Sequence, residues 1–215
     1  MHKLSVSLLN CDHAFLGDAL KRSQEAGADL IHLDIMDGVY VENLAFSPKT
    51  VKDLKRLSRV PVEVHLELNN PQMYADMFIE AGADIIIFQM DSCVNIIRLL
   101  KKIRDAGLKA GIGINPAGGT EGIRYILEYL DLIVVMAVEP GFGNQEFEEK
   151  TYEKVGLLHE YLLEQGYDIP IAVDGSVTIE RAQRLKASGA SWFIVGSAIF
   201  QDNNVALNIG KFKKL

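Results

Sequence analysis

The sequence predicts a single-domain (β/α)₈ TIM barrel, a fold of the α/β class. Eight short apolar runs recur along 215 residues, and an amphipathic stretch separates each run from the next. The runs are rich in β-branched residues and mostly lack alternation, which is typical of parallel strands buried on both faces. They cover residues 4–9, 30–34, 62–66, 85–88, 110–114, 132–138, 169–173 and 192–195.

The stretches between these runs are predicted to be helices. In segment 94–106 the apolar side chains recur at helical spacing. Parallel strands joined by right-handed crossovers form either an open doubly wound sheet or a closed barrel. Eight units without a long interruption favour the barrel, and the length suits one domain that spans 1–215. Four of the stretches end in a glycine, which indicates a left-handed helix cap: Gly27, Gly82, Gly107 and Gly189.

The composition disfavours two classes of partner. The chain has 22 Lys and Arg against 29 Asp and Glu, a net charge of −7, whereas nucleic acids and anionic membranes select basic surfaces. No apolar run approaches the ~20 residues that cross a bilayer. The two cysteines, Cys11 and Cys93, are far apart and lack metal-ligand spacing, which favours a reducing compartment. We therefore expect a cytoplasmic protein that binds neither nucleic acid nor membrane.

Polar residues lie at the ends of three predicted strands, on the side where barrel active sites form. His32 and Asp34 occupy alternate positions of the second run and so point the same way, while His65 and Asp174 end the third and seventh runs. Each histidine alone is more typical of a hydrogen-bonded structural position, and Asp174 alone could equally be a turn residue or a helix cap. Together, two imidazoles and two carboxylates predict a site for one divalent metal ion, Zn²⁺, Fe²⁺, Mn²⁺ or Co²⁺.

Two glycine–serine pairs predict a phosphate site. Gly175-Ser176 follows the seventh run, and Gly196-Ser197 follows the eighth. Loops at these positions commonly bind phosphate in a TIM barrel, because glycines let backbone N–H groups approach the anion. A glycine-containing loop at 139–145 follows the sixth run. We interpret it either as an ordinary loop or as a flap that closes over substrate.

Five segments resemble the ribulose-phosphate 3-epimerase family. The match runs in order from Ser5 to Phe200, nearly the whole chain. The segments are HLDIMDG at 32–38, VHL at 64–66, EPGFGNQ at 139–145, VDGS at 173–176 and VGSAIF at 195–200. The resemblance implies a metal-dependent isomerase that acts on a phosphorylated ketose, and it suggests assembly into homo-oligomers.

The resemblance also assigns roles to individual residues. It places the metal ligands on His32, Asp34, His65 and Asp174, and the acid and base on the two aspartates. The residues that it places against substrate, near the sugar and in the phosphate loops, are Ser7, Met36, Met136, Gly143, Gly175, Ser176, Gly196 and Ser197.

Inversion at C3 of a ketose phosphate requires two bases. A proton leaves a carbon next to the carbonyl, and another returns to the opposite face of a planar enediolate, which one base cannot reach. Asp34 and Asp174 come from strands that we expect to lie across the barrel from each other. The resemblance therefore implies epimerisation at C3, with D-ribulose 5-phosphate and D-xylulose 5-phosphate as the default pair.

Departures from the family leave the sugar open. Glu67 stands where the family usually has Met and Gln89 where it commonly has His, so both are candidate specificity residues. The VDGS motif is more similar to the allulose-6-phosphate 3-epimerase branch, which makes D-allulose 6-phosphate an alternative substrate. Two alternatives come from other classes. A phosphosugar lyase would usually carry Lys at the position of Met36, and a catalytically silent phosphosugar-binding barrel would not need the four intact metal positions.

Overall fold

A computed structural model describes residues 2–215 as a closed barrel of eight parallel strands, which confirms the predicted fold class. The barrel closes because β1 pairs with both β2 and β9. The eight strands are β1 (Lys3–Ser7), β2 (Leu30–Asp37), β4 (Val62–Glu67), β5 (Ile85–Gln89), β6 (Lys109–Ile114), β7 (Leu132–Met136), β8 (Ile171–Asp174) and β9 (Trp192–Val195). A two-residue strand that the sequence did not predict, β3 (Leu44–Ala45), pairs antiparallel with the end of β2.

Helices cover the outside of the barrel after seven of its eight strands. They are α1 (Leu16–Glu25), α2 (Pro48–Lys55), α3 (Ala75–Ala81), α4 (Ile96–Asp105), α5 (Thr151–Glu164), α6 (Ile179–Ala187), and after β9 the pair α7 (Ser197–Phe200) and α8 (Val205–Phe212). The connection from β6 to β7 instead contains two 3-10 segments, Glu121–Tyr125 and Leu127–Tyr129. These short segments still bury Ile123 and Leu127, so the barrel wall is covered there without an α-helix.

Glycines end the helices that the sequence marked. All four adopt positive φ, between 82° and 109°, where a side chain would be strained: Gly27, Gly82, Gly107 and Gly189. The cap at Gly82 donates its N–H to the carbonyl of Ile79, in the last turn of α3. After each of these caps the chain therefore reverses direction and enters the next strand within a few residues.

The barrel interior is polar on one side and apolar on the other. Apart from Asp174, which ends β8, inward-facing positions on β7, β8 and β9 carry apolar side chains such as Val134, Ala172 and Ile194. Inward-facing positions on the opposite strands are buried and polar: Ser5, Ser7, His32, Asp34, Glu63, His65, Glu67 and Gln89. Burial of this many polar groups is costly unless they bind one another or a ligand. This half of the barrel is therefore expected to contain a functional site.

The helices of residues 2–215 include none that is both long and apolar enough to cross a membrane.

Candidate active site

Four side chains meet at the carboxyl-terminal end of the barrel. His32 and Asp34 lie on β2, His65 lies on β4, and Asp174 ends β8. The parallel register places Asp34 directly beside His65. One nitrogen or oxygen atom from each of the four residues lies within 4.8 Å of the other three. The structure thus brings together the four residues that the sequence predicts to converge.

The atoms that face one another in this cluster are two imidazole nitrogens and two carboxylate oxygens. His32 Nε2 lies 2.9 Å from Asp34 Oδ1 and 3.7 Å from Asp174 Oδ2. His65 Nδ1 lies 3.6 Å from Asp34 Oδ1 and 3.8 Å from Asp174 Oδ2, and it is buried without a hydrogen-bond partner. A divalent ion bound here would give that nitrogen a partner, and it would meet the donor types that such ions prefer. The cluster therefore fits a divalent metal ion.

The two aspartates differ in their affinity for a proton. Burial opposes ionisation of Asp34, but the imidazoles of His32 and His65 outweigh it and lower the pKa of Asp34. Burial raises the pKa of Asp174 to about 7, with His32 opposing the shift and the charge of Asp34 adding to it. The site thus contains one ionised carboxylate and one carboxyl that carries a proton near neutral pH.

The two histidines differ in the same way. Burial disfavours the charged form of His32, but Asp34 and Glu63 outweigh it and hold its pKa well above 6.5. Burial lowers the pKa of His65, and the charge of nearby His32 adds to the shift. Protonation therefore competes with metal binding more strongly at His32 than at His65.

Glu63 supports His32 from the barrel interior. Its Oε1 accepts a hydrogen bond from His32 Nδ1 at 2.8 Å and a second one from the hydroxyl of Ser5. Because Nδ1 donates to Glu63, the other nitrogen of His32 faces the cluster, which is the orientation of a metal-binding imidazole. On the opposite side, Ser7 Oγ donates to Asp34 Oδ2 at 2.8 Å and holds that carboxylate in place.

A cavity lies next to the cluster. Asp34, Asp174 and Glu67 line it, and so do all the residues that the resemblance places against substrate: Ser7, Met36, Met136, Gly143, Gly175, Ser176, Gly196 and Ser197. Gln89, the other candidate specificity residue, is absent from the lining. It is fully buried and contacts His65 on the side away from the cluster.

The part of the cavity near β8 and β9 presents backbone rather than cationic side chains. Within residues 2–215, the cavity lining contains no Lys or Arg. Gly175 has φ of 108°, and Ser176 follows it in the left-handed region at 49°. A Cβ atom at Gly196 would lie 2.6 Å from Asn10 Oδ1, and one at Gly143 would collide with the same amide. Glycine at both positions therefore leaves room for the Asn10 amide, and loops of this kind let backbone N–H groups approach an anion.

Comparisons with known proteins agree with this geometry. Residues 3–200 match the model of the ribulose-phosphate 3 epimerase family. The chain belongs to this family. Three proteins named ribulose-phosphate 3-epimerase illustrate the similarity. The one from Buchnera aphidicola (subsp. Acyrthosiphon pisum) is 38% identical over 98% of this chain and 93% of its own length. The one from Escherichia coli K12 is 37% identical over 92% of this chain and 88% of its own length. The one from Bacillus subtilis is 35% identical over 93% of this chain and 93% of its own length.

Solved structures with lower sequence identity share the barrel fold of this epimerase-family chain. KGPDC from Streptococcus mutans superposes with a TM-score of 0.74 at 16% identity over 100% of this chain and 96% of that one. A 3-hexulose-6-phosphate synthase gives a TM-score of 0.70 at 14% identity over 99% and 98%. At such identities the likeness supports the fold alone.

The loop at 139–145 contributes six residues to the cavity lining and is tied to neighbouring segments. Asn43 Nδ2 donates to the carbonyl of Gly141 at 2.7 Å, and Ser176 Oγ donates to the carbonyl of Gln145 at 2.5 Å. Gln145 Nε2 donates back to the carbonyl of Glu139 at 2.6 Å. These bonds hold the loop where a flap would meet substrate, and the flap interpretation stays a prediction.

Sequence reasoning missed two residues of the site. Glu63 binds a predicted ligand, and Asn10 lies in the cavity against Gly143 and Gly196. A signal for Glu63 was present: it precedes His65 by two residues in an apolar strand, so a buried charge had to share the inward face. Asn10 follows the first strand, and nothing in its local sequence distinguishes it from a turn residue.

Proposed function

We propose that this chain epimerises C3 of D-ribulose 5-phosphate to give D-xylulose 5-phosphate, with one divalent metal ion held by His32, Asp34, His65 and Asp174. One observation carries the proposal. Two carboxyls, supplied by β2 and β8, converge with two imidazoles beside a pocket that Gly175, Ser176, Gly196 and Ser197 also line. Family membership supports the same activity.

The two aspartates divide the proton transfers. One carboxylate removes the C3 proton, leaving a planar enediolate, and the other carboxyl delivers a proton to the opposite face of C3. In the metal-free chain the pKa of Asp34 is lowered and that of Asp174 is raised to about 7, so the two carboxyls differ in their affinity for a proton. Reversal of the two roles returns the product to substrate, as microscopic reversibility requires.

Other residues hold the sugar phosphate in place. The backbone around Gly175, Ser176, Gly196 and Ser197 is proposed to bind the phosphate, and Met36 and Met136 line the cavity beside the aspartates. A divalent ion, Zn²⁺, Fe²⁺, Mn²⁺ or Co²⁺, would act as a Lewis acid that stabilises negative charge on the sugar oxygens. A homo-oligomeric assembly, a cytoplasmic location and the assignment of 1–215 to one domain stay predictions.

Incubation with D-ribulose 5-phosphate in D₂O tests the proposed function. We expect loss of the C3 proton signal by NMR, incorporation of deuterium at C3 and appearance of D-xylulose 5-phosphate. The protein should be tested after loading with each of the four candidate ions separately. Absence of both exchange and inversion in all four preparations would contradict the proposal.

A hexulose phosphate is the second candidate, and Glu67 is the observation that favours it. The Glu67 side chain lines the cavity from β4, whereas the proposed phosphate site lies by β8 and β9. Its Oε2 is buried without a hydrogen-bond partner. Burial, with the charges of Asp34 and Asp174, raises the pKa of Glu67 well above its usual value, so this carboxyl can donate as well as accept a hydrogen bond. A sugar hydroxyl remote from the phosphate would satisfy it.

Glu67→Met is therefore expected to change substrate preference. Loss of a buried partner costs about 1–3 kcal/mol, or roughly ten- to a hundredfold, for a substrate whose hydroxyl it binds. If Glu67 serves the longer sugar, kcat/KM for D-allulose 6-phosphate falls by this factor while that for D-ribulose 5-phosphate changes less. Glu160→Met, the same change on the outer helix α5, is the matched control. An unchanged ratio of the two kcat/KM values would exclude Glu67 as a specificity residue.

A further inference from the structure

Gln89 contacts a proposed metal ligand and not the cavity. It ends β5, is fully buried, and places its Nε2 3.1 Å from His65 Nε2. The neighbouring position on β6 is Gly113, where a Cβ atom would lie 2.7 Å from Gln89 Oε1. The glycine thus leaves room for the amide beside His65. Any effect of Gln89 on the site must therefore pass through His65.

Two buried atoms in this pair have no hydrogen-bond partner. They are Gln89 Oε1 and His65 Nδ1. If the neutral ring accepts from the amide N–H in this arrangement, its own proton must lie on Nδ1, which faces the carboxylates of the cluster. An imidazole with its proton on Nδ1 cannot bind a metal ion through that nitrogen.

A half-turn of the Gln89 amide changes which ring nitrogen of His65 carries the proton. The turn exchanges Oε1 and Nε2, and Oε1 then accepts a hydrogen bond from a proton on His65 Nε2. Nδ1 is then left with a lone pair that faces Asp34 and Asp174. The proton moves between the two ring nitrogens, and no net charge changes.

We propose that Gln89 is a positioning residue that selects the tautomer of His65, donating to Nε2 when the metal site is empty and accepting from Nε2 when His65 binds the ion. This inference rests on the metal site proposed above. The other histidine is held differently. Glu63 accepts a hydrogen bond from His32 Nδ1 and thereby fixes one orientation of the imidazole. A carboxylate only accepts, whereas an amide serves both tautomers.

Zinc affinity of metal-stripped protein tests the inference, measured by competition with a chromophoric chelator. Gln89→Met keeps the approximate length but removes donor and acceptor, and we expect it to weaken Zn²⁺ binding about 10- to 100-fold, the usual cost of losing such a partner. Gln89→Glu keeps an acceptor for the Nε2 proton and should bind Zn²⁺ no more weakly than the wild type. Ser23→Ala removes a buried hydrogen bond to Ala19 in α1, and it should leave the affinity unchanged.

NMR of the imidazole nitrogens gives a second readout that does not depend on the variants. In the wild type, the proton of His65 should lie on Nδ1 in stripped protein and on Nε2 after Zn²⁺ is added. Retention of wild-type affinity by Gln89→Met would overturn the inference, as would equal weakening in Gln89→Met and Gln89→Glu, or a tautomer that does not change. Failure of the wild type itself to bind Zn²⁺ would instead refute the proposed metal site.

Discussion

Replacement of either aspartate by asparagine should abolish inversion at C3. Asp34→Asn and Asp174→Asn keep the shape of the side chain and one oxygen that can face the cluster, but the amide cannot accept or deliver the C3 proton. General acid–base groups contribute about 10²- to 10⁴-fold each, so we expect kcat for D-ribulose 5-phosphate to fall by this factor in each variant. The double variant should be little worse than either single one, because the two residues act in one proton transfer sequence.

Isotope exchange separates a catalytic role from a purely structural one. A variant with one remaining base can still act on the epimer whose C3 proton faces that base. It removes this proton and returns deuterium to the same face. In D₂O, each single variant should therefore exchange at most one of the two epimers, and each should favour a different one. Asp53→Asn, the same change on the outer helix α2, is the control. Wild-type inversion in either active-site variant would refute the two-base mechanism.

The barrel could be predicted because its signals are local. Apolar runs, helix periodicity and capping glycines each depend on a few neighbouring residues, and all agree on eight units. The predicted ends of the strands were less accurate, because hydrogen bonding to a neighbouring strand decides where a strand ends. The second strand continues to Asp37 because Met36 and Asp37 pair with Ala45 and Leu44, and a two-residue strand has no periodicity to detect.

The metal-type cluster could be predicted for a related reason. Alternation along a strand decides which side chains face inward, so His32 and Asp34 were certain to share a side, and strand ends meet in a barrel. The partners of these residues depend instead on the register between strands. Register places Glu63 beside His32, and it leaves Gln89 against His65 rather than in the cavity. Neither contact can be predicted from the sequence of a single strand.

Removal of the divalent ion is the other change with a large expected effect. Two aspartates face the two imidazoles in the cluster, with the buried Glu63 and Glu67 close by, and a chelator would leave these carboxyls without the cation that the cluster fits. Loss of Lewis-acid stabilisation worth several kcal/mol should lower turnover by about 10³-fold or more, and Zn²⁺, Co²⁺, Mn²⁺ or Fe²⁺ should restore it. The ion should also stabilise the fold, by about 2.7 kcal/mol when its concentration is 100 times its dissociation constant.

Acid should weaken the same binding, and the direction follows from His32. Its pKa is raised well above its usual value in the metal-free chain, so a proton competes with the ion at higher pH than it would for an ordinary imidazole. The affinity for Zn²⁺ should therefore fall about tenfold for each unit of pH below that pKa, and more steeply once Asp174 also takes up its proton near pH 7. Glu63→Gln removes one of the two carboxylates that raise the pKa of His32, so it should shift the onset of this loss to lower pH. Calorimetry in buffers of different ionisation enthalpy counts the released protons, and an affinity that does not change from neutral to acidic pH would exclude His32 as a ligand.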